Sequence, residues 1–215
     1  MNKGFSIKQT VVLAGLLITT GTANAGLSFV TTNTVILTQP FNGISGLTPQ
    51  PIGSTLNVGH LDFTGPGSEI VTYTFLGAES VTFVDKFYDI LGGTALLESD
   101  LVGTSVSSQV SVAGPLSFMF EGNTDKFAIN GGAWYKGTSI GLIGTDVHIG
   151  SSIFQYVIGY NDSAGSALYG DWDDFLIGVN AASIPVVPEP ETYSMLLIGL
   201  GLLGYLGFRR KLILT

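Results

Sequence analysis

The run Glu69-Ile70-Val71-Thr72-Tyr73-Thr74-Phe75-Leu76 decides the fold class of this chain. Its large apolar residues alternate with smaller polar ones, so Val71, Tyr73 and Phe75 share one face of an extended strand. A period of two is typical of a strand that is buried on one face only. The run therefore predicts a β-strand that packs its Val71 face on a core.

The same alternation recurs along the body of the chain, in short runs separated by turn residues such as Gly92-Gly93 and Gly65-Pro66-Gly67. About ten strands in one domain favour an all-β fold, a single β-sandwich of jelly-roll type. In residues 152–160 the pattern places four aromatic or aliphatic side chains on one face: Phe154, Tyr156, Ile158 and Tyr160. The other predicted strands are residues 34–38, 55–64, 81–90, 95–98, 105–112, 116–121, 126–129, 146–149 and 174–179.

Charge separates the body from the two ends of the chain. Residues 26–187 contain three lysines and fourteen acidic residues, so the net charge of the body is about −11. A surface of that sign repels phosphate backbones, which argues against nucleic acid as a partner. The chain has no cysteine, so disulfides, thiolate metal sites and a cysteine nucleophile are excluded.

The N-terminus has the three parts of a secretory signal peptide. Lys3 and Lys8 precede an apolar run at residues 11–18, and Ala23-Asn24-Ala25 follows as a small-x-small cleavage site. The apolar run is too short to span a membrane. We therefore predict a signal peptide at residues 1–25, recognised for cleavage through Ala23 and Ala25, and an exported body at residues 26–180.

The C-terminus has a second targeting pattern after a short linker at residues 181–187. Pro188, Glu189 and Pro190 precede a sixteen-residue apolar run, residues 193–208, which a basic cluster follows. A helix of that length rises about 24 Å against a hydrocarbon core of about 30 Å. We predict a short transmembrane helix at residues 193–208 whose stop-transfer cations face the cytoplasm: Arg209, Arg210 and Lys211.

Residues 188–215 resemble the PEP-CTERM sorting signal of Gram-negative bacteria. The resemblance implies that an exosortase, a membrane cysteine protease, recognises Pro188-Glu189-Pro190 and removes the tail after transient residence in the inner membrane. It also implies release to the cell surface or outside the cell, often beside an exopolysaccharide locus. The same segment is also catalogued as an ice-binding protein C-terminal domain, although the tail has no surface that would bind ice.

The most individual motif of the body is Phe83-Val84-Asp85-Lys86-Phe87. Strand periodicity places Phe83, Asp85 and Phe87 on one face. The motif resembles the one that names an FxDxF subgroup of PEP-CTERM proteins. Asp85 is a candidate ligand residue between two rings; the alternative is that it bonds to backbone amides while the phenylalanines fill the core.

A second constellation is Asp171-Trp172-Asp173-Asp174, with Asp162 upstream. Three carboxylates within four positions suit calcium, so Asp171, Asp173 and Asp174 form a candidate calcium site. The spacing lacks the glycine and the final glutamate of an EF-hand loop, and the alternative is a solvated acidic turn. Trp172 is a candidate platform for a sugar ring, with core packing as the other interpretation.

These patterns leave three functions open. The first is a non-enzymatic exported surface or extracellular-matrix protein associated with exopolysaccharide or biofilm. The second is a calcium-dependent carbohydrate-binding module. The third is a glycan-active enzyme, because glycoside hydrolysis needs two suitably spaced carboxylates, while the sequence contains neither a nucleophile elbow nor a phosphate-binding loop.

Overall fold

A computed structural model describes residues 26–37, 47, 51–78, 84–122, 126–133, 138–162, 172–184 and 190–212. In these residues the protein folds as two antiparallel β-sheets with one α-helix near the C-terminus. The all-β class and the sandwich-like pair of sheets are confirmed. The finer jelly-roll connectivity stays a prediction. The elements are β1 (Leu27–Ile36), β2 (Thr55–Phe63), β3 (Glu69–Gly77), β4 (Lys86–Asp89), β5 (Thr94–Leu97), β6 (Ser105–Val110), β7 (Gly114–Pro115), β8 (Phe118–Gly122), β9 (Lys126–Ile129), β10 (Ser139–Ile149), β11 (Ser152–Asn161), β12 (Phe175–Ser183) and α1 (Pro190–Leu212).

The larger sheet has the strand order β1-β2-β10-β11-β12-β3-β6, with β7 paired to β2. The smaller sheet has the order β5-β4-β8-β9. The strand predicted from the Val71 face lies in the larger sheet between β12 and β6. Its alternation is clear because one face of the strand is buried in the core while Ile70, Thr72 and Thr74 on the other face are at least partly exposed.

Aromatic side chains fill the space between the two sheets. Val71, Tyr73 and Phe75 are all buried, so the predicted inward face of β3 is confirmed. Tyr73 contacts two rings of the smaller sheet, with centroids 4.8 Å from Phe87 and 5.6 Å from Phe118. This main core joins residues from both sheets, and burial of its rings is the chief apolar contribution to the fold.

A second apolar cluster lies apart from the main core and includes Val58, Val157, Leu176 and Trp172. Phe154 belongs to this cluster, so its predicted place beside Ile158 and Tyr160 is wrong. The β11–β12 ladder ends at Tyr156, and beyond it the Gln155 N–H donates to Asn180 Oδ1 at 2.9 Å instead of to a backbone carbonyl. The Phe154 ring then lies over Gly178, which has no side chain in its way.

Helix α1 includes the apolar run of the C-terminal segment. Within the described part of the chain, no helix has both the length and the apolar character that a membrane crossing requires. The transmembrane helix predicted at residues 193–208 is therefore unsupported. The physical reason is the length of the apolar run, sixteen residues, against about 20 for a typical span.

Asn130 joins the end of β9 to the other sheet through its side chain. Its Oδ1 accepts from the Leu61 N–H at 2.8 Å, and its Nδ2 donates to the carbonyls of Leu61 and Leu116 at 2.7 and 2.8 Å. The side chain is buried, so these backbone groups have no access to water in its place. Strand β10 pairs with β2 only at Asn57 and Val58, and Asn130 supplies the hydrogen bonds of β2 at Leu61, beyond that pairing.

Asn130→Ala should lower the free energy of unfolding by about 3 kcal/mol, because it leaves the buried Leu61 N–H without a partner and removes one of two donors from the carbonyls of Leu61 and Leu116. Urea unfolding measures the change. Asn33→Ala is the matched control, since the exposed Asn33 side chain accepts a hydrogen bond only from the adjacent Thr34 N–H among the described groups. We expect a change within about 0.5 kcal/mol there. Equal effects of the two substitutions would contradict the bridging role of Asn130.

Candidate functional site

Two acidic segments that are far apart in sequence meet at one end of the sandwich. Asp85 precedes β4 in the smaller sheet, whereas Asp162 follows β11 and Asp174 precedes β12 in the larger one. Asp85 Oδ1 and Asp162 Cβ both lie within 3.3 Å of the position that a Cβ atom on Gly122 would take, and Asp174 Oδ2 lies 2.6 Å from the Asp162 nitrogen, so the groups are close together. We call Asp85, Glu98, Asp162 and Asp174 the acidic cluster.

Hydrogen bonds and one ion pair position these carboxyl groups. The Asp162 N–H donates to Asp174 Oδ2 at 2.6 Å, which ties the end of β11 to the start of β12. Lys126 Nζ, at the start of β9, lies 3.6 Å from Asp162 Oδ2. The Asp85 N–H donates to Glu98 Oε2 at 3.4 Å, and the Glu98 N–H donates to the Asp85 carbonyl at 3.3 Å. The acidic cluster therefore bridges the two sheets.

Gly122 forms the floor on which three of the side chains converge. A Cβ atom at this position would lie 2.9 Å from Asp85 Oδ1, 3.1 Å from the Tyr160 hydroxyl and 3.3 Å from Asp162 Cβ. Any larger residue would push these groups apart. The glycine at the end of β8 is thus a condition for the assembly of the acidic cluster.

Two of the four side chains of the acidic cluster are closed to solvent, and the other two are half-buried. Asp85 is 2% exposed and Asp162 is 6% exposed. Asp85 Oδ1 has no hydrogen-bond partner among the described residues. A buried carboxylate without a partner is costly to ionise, so the charge state of this group depends on its neighbours.

Burial and repulsion between neighbouring carboxylates raise the pKa values of Asp85, Glu98 and Asp174. Burial, followed by the charges of Asp162 and Glu98, raises the pKa of Asp85 to about 7, against the opposing effect of Lys126. Burial is also the main reason that the pKa of Asp174 is raised, although the hydrogen bond from the Asp162 N–H opposes it. Burial raises the pKa of Glu98 and of the Tyr160 hydroxyl as well. Asp85, Glu98 and Asp174 therefore retain protons at pH values where exposed carboxylates have lost them.

The predicted calcium ligands are only partly described. Asp173 is buried at 2% exposure, Asp174 belongs to the acidic cluster, and Asp171 lies outside the described residues. Within the described part of the chain, no three carboxylates or imidazoles are grouped at a spacing that would hold a metal ion. The calcium site at Asp171, Asp173 and Asp174 stays a prediction.

The two candidate ligand residues are both buried. Trp172 is 1% exposed, its Nε1 donates to Ser139 Oγ at 3.0 Å, and its ring fills the space above Gly141. It belongs to the second apolar cluster, so its ring is not available as a sugar platform in this structure. Asp85 shares its inward face with Phe87 as predicted, while Phe83 lies outside the described residues.

Sequence reasoning missed Glu98, Lys126 and Tyr160 as members of this site. The β4–β5 register pairs Lys86 with Leu97, which places Asp85 opposite Glu98. The sequence signal, a two-residue turn at Gly92-Gly93, would instead place Asp85 opposite Asp100. Lys126 and Tyr160 reach the site only through the packing of the two sheets, for which the sequence has no local signal.

A groove of about 500 Å³ lies on the larger sheet, away from the acidic cluster. The exposed side chains of Val102 and Ile153 flank it. Thr74 and Ser105 contribute hydroxyls that bond to each other at 2.9 Å. None of the described residues that line the groove carries a charge: Thr74, Leu76, Val102, Gly103, Ser105, Ile149, Ser152, Ile153, Phe154 and Asn180.

The C-terminal segment has a recognisable relationship to known proteins, since residues 186–211 match the PEP-CTERM protein-sorting motif. This segment is a PEP-CTERM sorting motif. The motif indicates export and a membrane-associated sorting step toward the cell surface, with exosortase as the processing partner. Pro190 begins α1, whereas Pro188 and Glu189 lie outside the described residues.

The match covers the C-terminal segment only, so it assigns no function to the body of the chain. No curated protein and no solved structure matches this chain. The side chains of Arg209, Arg210 and Lys211 are not described, and Ala23 and Ala25 lie outside the described residues, so their predicted roles stay predictions.

Stability should fall as pH rises from about 4 to 7, because the folded chain keeps the Asp85 proton over a range in which the unfolded chain, with an aspartate pKa of about 3.9, has lost it. Asp85→Asn removes this ionisation. We expect the variant to be more stable than the wild type at pH 8 by on the order of 2 kcal/mol, with a flatter pH profile.

Urea unfolding between pH 4 and pH 8 measures both profiles. Asp146→Asn is the matched control, because it removes an exposed carboxylate on β10 and should leave the profile unchanged. Parallel profiles for the wild type and Asp85→Asn would contradict the assignment.

Proposed function

We propose that this protein is a non-enzymatic surface protein of the extracellular matrix, which exosortase processing releases and whose body binds exopolysaccharide. The observation that carries the proposal is the uncharged groove on a strongly acidic body. An acidic body repels acidic polymers. The groove is therefore suited to a neutral polysaccharide.

The lining of the groove matches the chemistry of a sugar chain. Ile153 and Val102 are 55% and 65% exposed and offer aliphatic contacts for the C–H face of a sugar ring. Ser105 and Asn180 lie in the same lining, and beyond their internal hydrogen bonds the Ser105 hydroxyl keeps an acceptor lone pair and the Asn180 amide keeps a second N–H for sugar hydroxyls. Saccharide sites combine apolar contact with a few oriented polar groups, and this groove contains both.

A structural role for the acidic cluster supports the non-enzymatic proposal. A glycoside hydrolase presents two carboxyl groups on either side of the bond that it cleaves. Asp85 and Asp162 instead point into the junction between the sheets and are almost wholly buried. We assign them to the closure of that junction.

Ile153→Asn should weaken binding to a neutral polysaccharide by about tenfold, because it removes aliphatic surface from the wall of the groove. The measurement is retention of the processed chain on cellulose, with sedimentation of the bound fraction at several protein concentrations. Alginate serves as the anionic comparison, and we expect little retention on it.

Ile36→Asn is the matched control for Ile153→Asn, since Ile36 is a strand isoleucine of similar exposure, 64%, on β1 and outside the groove lining. It should bind cellulose as the wild type does. No retention of the wild type on cellulose, or equal weakening by both substitutions, would exclude the groove as a neutral-glycan site.

Replacement of Pro188, Glu189 and Pro190 by alanine should keep the protein in the membrane fraction, because exosortase would no longer recognise the tail. Immunoblots of membrane and culture fractions measure the ratio. Pro185→Ala, in the predicted linker, is the matched control and should be released normally. Release of the triple variant at the wild-type level would exclude exosortase recognition of these residues.

A further inference from the structure

Glu69 is a charged residue on the core face of the larger sheet. It begins β3, and the alternation of that strand places its side chain on the same face as Val71, Tyr73 and Phe75. It is 1% exposed. A carboxylate in this position needs a partner of opposite charge, because its desolvation is otherwise uncompensated.

The structure supplies only a partial partner for this carboxylate. The backbone N–H of Gly26 donates to Glu69 Oε1 at 3.3 Å. Glu69 Oε2 is buried and has no hydrogen-bond partner among the described residues. The ion pairs of the described residues do not include Glu69.

Two glycines allow the close approach of Gly26 to Glu69. A Cβ atom on Gly26 would lie 2.6 Å from Gly65 Cα, and a Cβ atom on Gly65 would lie 2.6 Å from Glu69 Oε1. The Gly26 carbonyl accepts from the Thr64 N–H at 2.7 Å, which fixes the backbone just before β1. The nitrogen of Gly26 is thus held at the carboxylate by packing that no other residue type would permit.

We propose that Gly26 is the first residue of the exported protein and that its α-ammonium group forms a buried ion pair with Glu69. Gly26 directly follows the cleavage site predicted at Ala23-Asn24-Ala25. Hydrolysis of the Ala25–Gly26 peptide bond adds water across it, which leaves a carboxylate on Ala25 and an amine on Gly26. The amine takes up a proton from solvent.

Cleavage changes the donor at Glu69 from one neutral N–H to an ammonium with three N–H bonds. One N–H can remain on Oε1, and the additional donors can reach the unpartnered Oε2. Charge-assisted hydrogen bonds are stronger than neutral ones, and a paired buried carboxylate no longer carries the full cost of desolvation. Removal of the signal peptide therefore completes the fold at the start of β3, a strand that pairs with both β6 and β12.

A thermodynamic cycle tests the ion pair with four forms of the chain. Two begin at Gly26, released from an N-terminal fusion that leaves no extra residue, and two retain Ala23-Asn24-Ala25. Each start is made with Glu69 and with Glu69→Gln. We expect the three-residue extension to lower the Tm of the Glu69 chain by about 10 °C.

Glu69→Gln should have opposite effects in the two backgrounds. It should lower the Tm of the chain that begins at Gly26, since it removes one member of the ion pair. In the extended chain it should leave the Tm unchanged or raise it, because it removes an uncompensated buried charge. Glu121→Gln, at a partly exposed carboxylate beside Lys86, is the control and should change both backgrounds equally and slightly.

Acetylation of the Gly26 amine provides a variant that leaves Glu69 intact, in case Glu69→Gln does not fold. Acetylation should lower the Tm of the chain that begins at Gly26 by the same amount as the three-residue extension does. An unchanged Tm after acetylation, or equal Glu69→Gln effects in the two backgrounds, would overturn the ion pair. Intact mass of the exported protein would overturn the cleavage position if its first residue were not Gly26. Neither measurement depends on glycan binding, so both are independent of the proposed function.

Discussion

The stacked contact between Phe120 and Tyr160 is the constraint on which both the core and the acidic cluster depend. The rings lie 5.1 Å apart and nearly parallel, at 5°, and they join β8 of the smaller sheet to β11 of the larger one. The hydroxyl end of Tyr160 reaches the floor at Gly122, where Asp85 and Asp162 converge. The same ring therefore sets the distance between the sheets and brings together carboxyl groups that repel one another.

The fold class was predictable because one-sided burial imposes a period of two on the sequence. The inward face of β3, and Phe118 and Phe120 on β8, follow from that rule alone. Phe154 does not, since the ladder beside it ends and a side-chain amide replaces a backbone partner. The side on which Phe154 is buried depends on where the pairing of β11 with β12 ends, and the alternation of residues in β11 contains no information about that end.

The candidate site was less predictable than the fold because its members come from both sheets. Asp85 and Asp174 were recognisable as unusual residues, but their meeting depends on the order of strands across the sandwich. Glu98 lies opposite Asp85 because the β4–β5 hairpin is centred between residues 91 and 92, whereas the Gly92-Gly93 pair suggests a centre one residue later. For Trp172 the sequence left a sugar platform and core packing open, and Gly141 in the strand beneath it leaves room for a buried ring.

Asn130 also has a consequence for solubility. Exposed backbone groups at an open strand edge can template pairing with another chain, and this leads to aggregation. The carboxamide of Asn130 accepts one hydrogen bond from Leu61 on β2 and donates two, to the carbonyls of Leu61 and Leu116, as the peptide groups of an adjacent strand would. Strand β7 then pairs with Asp62 and Phe63, the next two residues of β2. The fold is thereby protected from edge-to-edge association along this stretch of β2.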